Sequence, residues 1–273
     1  MRRPFVASLA AIGALAFSAC GDDDDASAPS NDAGVDVVTN DAGSDAPVDA
    51  GPTYCTSETA DFCGDFDRGP TPGFGWGGVD VQGGGALALE PATDTSKPNV
   101  LKASLPALDG TGPNAAIATV ATKLPLGGKK KVTVALAANI GDTKPAANHI
   151  VGFLTMIVDG NTIVLLRGEA KWFLSIARRN TSANDATEPT LKVEPPIGKW
   201  FRLELEVVFA RPNGSVRLLI DGQEALSEPA VATIGDAPPV SDELTLGVGP
   251  SHASGATAAS DSRYDDVTVK LAP

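Results

Sequence analysis

The sequence predicts an all-β fold, a sandwich of antiparallel sheets in a single domain from about Tyr54 to Pro273, and three observations lead there. From Thr53 onward, short apolar runs recur between Gly, Pro and Asn breakers. Period-two alternation repeats within these runs, whereas no window longer than about ten residues sustains a 3.6-residue period. The chain has 273 residues, 42% hydrophobic and 5% aromatic, which suffices for one good core.

The elements before the core come first. Arg2 and Arg3 precede FVASLAAIGALAF, Phe5 to Phe17, and then Ser18-Ala19-Cys20, the layout of a secretory signal over residues 1–19. As a helix this apolar run spans about 20 Å, short of the roughly 30 Å hydrocarbon core, so a permanent transmembrane anchor is not expected. The small residues before Cys20 resemble the bacterial lipobox, with Phe17 where Leu is usual, and the resemblance implies a lipid-bearing Cys20 at the mature N-terminus. The alternative is cleavage after Ser18, which leaves Cys20 a free thiol. Gly21 after Cys20 favours the outer membrane by analogy with enterobacterial sorting, so the expected address is the bacterial cell envelope as an outer-membrane lipoprotein.

Residues 20–53 carry nine Asp and no Lys or Arg, without an aromatic residue. Such a composition cannot bury enough apolar surface to offset the entropy of ordering and reads as an acidic tether. NDAG at 31–34 and 40–43 does not have the Asp spacing of a calcium loop. With Cys20 lipidated, Cys55 and Cys63 remain as a disulfide pair in an oxidising compartment. A metal role for the two is disfavoured because neither His149 nor His252 is near them in sequence.

The expected strands follow in order: ALALEP (86–91), VLKASLP (100–106), AAIATVATKLP (115–125), KVTVALAANIG (131–141), IVGFLTMIVDG (150–160), NTIVLLRG (161–168) and KWFLSIARR (171–179). DELTLGVG (242–249) and YDDVTVKL (264–271) close the set, and GKWFRLELEVVFARPNGSVRLLIDG (198–222) is the most legible stretch. There, Phe201, Leu203, Leu205, Val207 and Phe209 fall on one face and Trp200, Arg202, Glu204, Glu206 and Val208 on the other. Pro212-Asn213-Gly214 is turn chemistry, with Gly free to take positive φ. Arg217 on the return strand is expected across from Glu204 or Glu206.

FCGDFDRG (62–69), GKWFRLELEV with its turn and VRLLIDGQ, and the terminal RYDDVTVKL resemble the concanavalin A-like lectin/glucanase superfamily, within it the laminin-G-like domains of bacterial lipoproteins. The resemblance implies a two-sheet jelly roll whose N- and C-terminal strands lie side by side. It implies no function, because this architecture hosts lectins, glycosidases, lyases and inert modules. Paired terminal strands would bring Asp65 and Asp67 to Asp265 and Asp266, weak candidates for structural calcium; exposed edge charges that discourage aggregation are the alternative.

Composition and motifs exclude several chemistries. Residues 54–273 hold 19 basic against 25 acidic residues, within a net charge of -13, so no basic face for nucleic acid is expected. Lys129-Lys130-Lys131 reads as a solvated turn. Glu204 and Glu206 could stand at a retaining glycosidase's spacing, but Arg202 and Val208 occupy the places of a third acid. Neither His149 nor His252 follows Gln as in alginate lyases, no Gly-x-Ser-x-Gly occurs, and GWGG and QGGG lack a following Lys.

No catalytic residue and no cofactor are therefore expected. The leading expectation is a lipid-anchored, non-catalytic binding or adhesion module for glycan or envelope protein. The alternatives are a carbohydrate-active enzyme of glycoside hydrolase or polysaccharide lyase type, and a structural envelope protein without ligand. A sheet face with at least two acids and an aromatic wall would favour the enzyme, whereas a flat apolar or Ala/Thr-lined face would sink it.

Overall fold

The computed structural model describes residues 54–273 apart from 96–97, 110–114, 144, 146–148 and 253–255. The signal segment, Cys20 and the acidic tether lie outside the described residues. One helical turn, α1 (Tyr54–Ser57), opens the described chain. The strands are β1 (Phe62–Gly64), β2 (Gly78–Gln82), β3 (Ala86–Pro91), β4 (Asn99–Leu105), β5 (Leu108–Asp109) and β6 (Ala116–Pro125). Next come β7 (Lys131–Ile140), β8 (Val151–Val158), β9 (Asn161–Arg167), β10 (Trp172–Arg178), β11 (Asp185–Thr187) and β12 (Trp200–Val208). The last are β13 (Gly214–Ile220), β14 (Gln223–Val231), β15 (Glu243–His252), β16 (Ala256–Thr257) and β17 (Ser260–Ala272).

Two antiparallel sheets form the predicted sandwich of jelly-roll class. One has eight strands in the order β14-β13-β12-β7-β17-β4-β3, with β1 also pairing β17; the other has seven, in the order β11-β10-β9-β8-β15-β6-β2. The side-by-side terminal strands implied by the resemblance are present, with Cys63 opposite Thr268 and Gly64 opposite Val267. The expected disulfide is also present: Cys55 and Cys63 are bonded, with their Cα atoms 5.6 Å apart, and tie α1 to β1.

Alternation decides which face each strand buries. Phe201, Leu203, Leu205 and Val207 are at most 3% exposed, whereas Arg202, Glu204 and Glu206 between them are only half-buried. β7 alternates in the same way and pairs with β12 along its length. The inward sets of both sheets merge into one cluster that includes Phe153, Trp172, Leu174, Phe201, Tyr264 and Val269. Burying such side chains contributes roughly 1.5–3 kcal/mol each.

Turn chemistry sets the register. Asp159-Gly160 and Asp221-Gly222 are two-residue hairpin loops with φ values of 52° and 75°, and 50° and 76°. Two positive φ values make the type I′ turn whose twist matches the strands, and Asp followed by Gly tolerates it. The Asn213-Gly214 turn works otherwise, since Gly214 is not among the positive-φ glycines. A Cβ at Gly214 would lie 2.5 Å from Thr233 Oγ1 and 2.7 Å from Val231 O, so close approach is what excludes a side chain there. In β17 a bulge at Asp265–Asp266, with Asp266 at φ 52°, resets the alternation so that both Tyr264 and Val267 point inward.

Candidate functional site

Four strands of the seven-stranded sheet reach the same end of the sandwich. Their register forms a row, His252–Val151–Arg167–Trp172, across β15, β8, β9 and β10. His149, immediately before β8, brings its ring centroid to 6.1 Å from that of His252, at 69°. His252 is 1% exposed, and its Nδ1 lies 2.8 Å from the carbonyl oxygen of Ile150. A carbonyl can only accept, so Nδ1 carries the proton.

Arg167 is the unusual member of this pole. Its side chain is 12% exposed, its guanidinium carbon is 5.7 Å from the Trp172 ring centroid, and Nη2 lies 3.4 Å from Asp142 Oδ1. Nη1 is buried and meets no hydrogen-bond acceptor among the described residues. A buried donor left unsatisfied costs about 1–3 kcal/mol, and a planar guanidinium fork matches a carboxylate. The Asp142 carboxylate is 53% exposed, so this pair alone does little to offset that cost. On the sequence alone the two histidines had no role and no Arg here was singled out; His252 is the last residue of β15. Its partners lie about a hundred residues away in sequence, a proximity that only the strand register creates.

Beside the pole, the outer face of the same sheet is low and uncharged. One row across six strands reads Gly78–Ala121–Gly247–Thr155–Val164–Ser175, and the next Lys123–Thr245–Ile157–Thr162–Ala177. Lys123 at the margin is the only ionisable residue of these two rows. This is the flat, Ala- and Thr-bearing face set against an enzyme on sequence grounds, and it does oppose a hydrolase built on two carboxylates; an elimination that needs no such pair is not addressed by it.

The eight-stranded sheet carries the charged outer face. Glu206 pairs with Lys131 at 2.7 Å. Arg217 is opposite Glu206 in register, as expected, yet its ion pair is with Glu224 at 3.2 Å. Glu204 faces Ala135 and Leu219. Further along, Arg263 Nε donates to Glu90 at 2.9 Å, and Lys102 bridges Glu90 at 3.0 Å and Asp261 at 3.1 Å. Burial by itself would raise the Glu90 pKa, but hydrogen bonds from Lys102 and Arg263 outweigh it and hold the carboxyl below its ordinary range. For Asp261, burial is likewise outweighed by hydrogen bonds from Ser104 and Lys102, and Lys102 is in turn raised by Glu90 and Asp261.

The acids considered for calcium are placed as follows. Asp65 is 2% exposed and accepts from the Cys55 amide at 3.1 Å; Asp67 accepts from the Asn99 amide at 2.7 Å. Asp265 is buried on β17 and Asp266 forms the bulge. The terminal strands do bring the two pairs to one region, but among the described residues no group of three or more His, Cys, Asp or Glu could hold a metal ion.

No protein-family model and no curated protein matches the chain in sequence. Solved structures do match its fold. An endo-β-1,4-glucuronan lyase from the fungus Trichoderma reesei is similar at a TM-score of 0.62 and 16% identity, over 78% of this chain and 95% of that one. The cellulose-induced protein Cip1 is similar at a TM-score of 0.54 and 15% identity, over 76% of this chain and 96% of that one. At such identities the likeness establishes the class of scaffold, a jelly-roll β-sandwich. It also corrects two expectations from the sequence, the non-catalytic binding or adhesion module and the absence of enzymatic activity. The finding that overturns them is that a polysaccharide lyase stands on this scaffold, matched over 95% of its own length.

Proposed function

We propose that the protein is a carbohydrate-active enzyme of polysaccharide lyase type, acting on a uronate-containing polysaccharide at the His149–Arg167 pole. The observation that carries this reading is the buried Arg167 Nη1, without an acceptor among the described residues, at the same end of the sheet as a pair of histidines. Eliminative cleavage does not need two carboxylates. It needs a cation to hold the uronate carboxylate, which acidifies the neighbouring C–H, and a base to take that proton. Arg167 supplies the first and His149 the second. The proton on C5 passes to the imidazole, the C–H electrons form the C4–C5 double bond, and the C4–O bond breaks. The departing oxygen takes up a proton. The half-buried hydroxyls of Thr155, Thr162 and Thr245 on the adjacent outer face give an extended sugar chain partners for its own hydroxyls. The glucuronan lyase named above supports a polyglucuronate as the first substrate to try.

The lipobox resemblance supports display of this activity on the cell envelope through a lipid on Cys20, with the acidic segment as spacer. One experiment tests both parts. Cells expressing the full chain are fractionated, and each fraction is incubated with polyglucuronate and other polyuronates while the ultraviolet absorbance of the conjugated double bond is followed. The expected result is absorbance growth in the membrane fraction, lost in Arg167→Gln and His149→Ala and moved to the soluble fraction by Cys20→Ala. If folded protein gives no growth on any polyuronate, the lyase reading fails. If Cys20→Ala leaves the protein in the membrane fraction, the anchor reading fails.

A further inference from the structure

Of the three tryptophans, Trp76 and Trp172 are 8% and 2% exposed, so Trp200 is the one that reaches solvent. It stands at the start of β12 on the outer face of the eight-stranded sheet, opposite the core residues Phe201 and Leu203. Register continues from it across three neighbouring strands as Trp200–Asn139–Arg263–Lys102. Side chains at these positions share the outer face, because Ala138, Tyr264 and Leu101 beside them are buried inward. Three strand spacings make the row about 14 Å long, the length of a short oligosaccharide. Ala88, next in line on β3, leaves its far end open.

The polar members are held in place before any ligand arrives. Glu90 binds both Arg263 and Lys102, and Asp261 binds Lys102 from the other side. Arg263 commits Nε to Glu90, and on a side chain 33% exposed its two terminal amino groups meet no acceptor among the described residues. Two cations and two carboxylates balance, so the row presents no net field to draw a polyanion. It presents an indole face, an amide, guanidinium donors and carboxylate acceptors. That set suits a neutral sugar, whose C–H face stacks on the ring while its hydroxyls pair with donors and acceptors.

We propose that this row is a second glycan site, for a neutral polysaccharide, on the sheet opposite the proposed cleavage pole. It rests on Trp200, Asn139 and Arg263 and does not depend on the lyase reading. Trp200 stacks on one sugar ring, and Asn139 and the Arg263 terminal amino groups bind the hydroxyls of the next.

The test uses the full chain on a glycan array, followed by acrylamide quenching of tryptophan fluorescence with the neutral oligosaccharides retained. Because Trp76 and Trp172 are buried, the quenchable emission reports Trp200. Neutral glycans should be retained and should shield Trp200 from acrylamide. Trp200→Ala and Asn139→Ala should each weaken retention at least about tenfold, with unchanged denaturation midpoints, while His149→Ala should leave it unaltered. Retention of acidic glycans alone, of no glycan, or of neutral glycans equally by folded Trp200→Ala would overturn the proposal.

Discussion

Glu204 and Leu205 are chain neighbours with opposite situations. Leu205 is 1% exposed within the core, whereas Glu204 is half-buried on the outer face, where Ala135 and Leu219 are its cross-strand neighbours. Glu204→Gln should therefore change the urea-unfolding free energy by less than about 0.5 kcal/mol, and Leu205→Ala should lower it by about 2–5 kcal/mol. This pair of residues was legible from alternation alone, because a strand sends successive side chains to opposite faces. The Arg167 site was not. Nothing local distinguishes NTIVLLRG from any buried strand ending in a solvated Arg, and the burial of Nη1 arises only when β8, β10 and the segment after β7 come together around it.

At the scale of the element, strands with unbroken alternation fell within a residue or two of their predicted bounds, β3, β7 and β12 among them. Others were missed for identifiable reasons. β2 reads GVDVQ inside a glycine-rich surround, so its alternation was hidden by turn signals. β14 contains Pro229, which argues against a central strand; β14 is the edge of its sheet, where Pro is tolerated. The β12–β13 turn was found but for a different reason than expected. Thr233 Oγ1 accepts from the Ala210 amide at 2.9 Å and donates to Val208 O at 2.8 Å, sealing the space a Cβ at Gly214 would need. Gly214→Ala should cost about 1–3 kcal/mol in urea unfolding, through crowding of that latch. A variant as stable as the wild type would show that the latch yields freely.

Over the whole molecule, acid should act first through depressed carboxylates. Glu90 and Asp261 are held below their ordinary values of 4.5 and 3.8, so each is more acidic folded than unfolded. Their contribution to stability is whole above those values, declines as pH falls through the depressed folded-state pKa values, and is absent below them. Lys102→Met removes the cation that both share, letting their folded-state pKa values rise. The variant should be less stable at neutral pH, with a shallower loss of stability between pH 4.5 and the acid transition, measured by urea unfolding at stepped pH. An unchanged slope would mean that Lys102 does not set those carboxyls.

Under the proposed lipid anchor at Cys20, the Cys55–Cys63 bond also has a mechanical meaning. Tension arriving at Tyr54 would reach β12 through the side-chain bond from Arg202 to the Tyr54 hydroxyl, whereas the covalent route runs through the disulfide to β1, whose strand partner among the described residues is β17. Because β17 also lies between β7 and β4 at the middle of the eight-stranded sheet, the load is taken up along that strand and shared with both neighbours in shear. The outer strands of either sheet, and the histidine–arginine pole on the opposite sheet, stay off the force path.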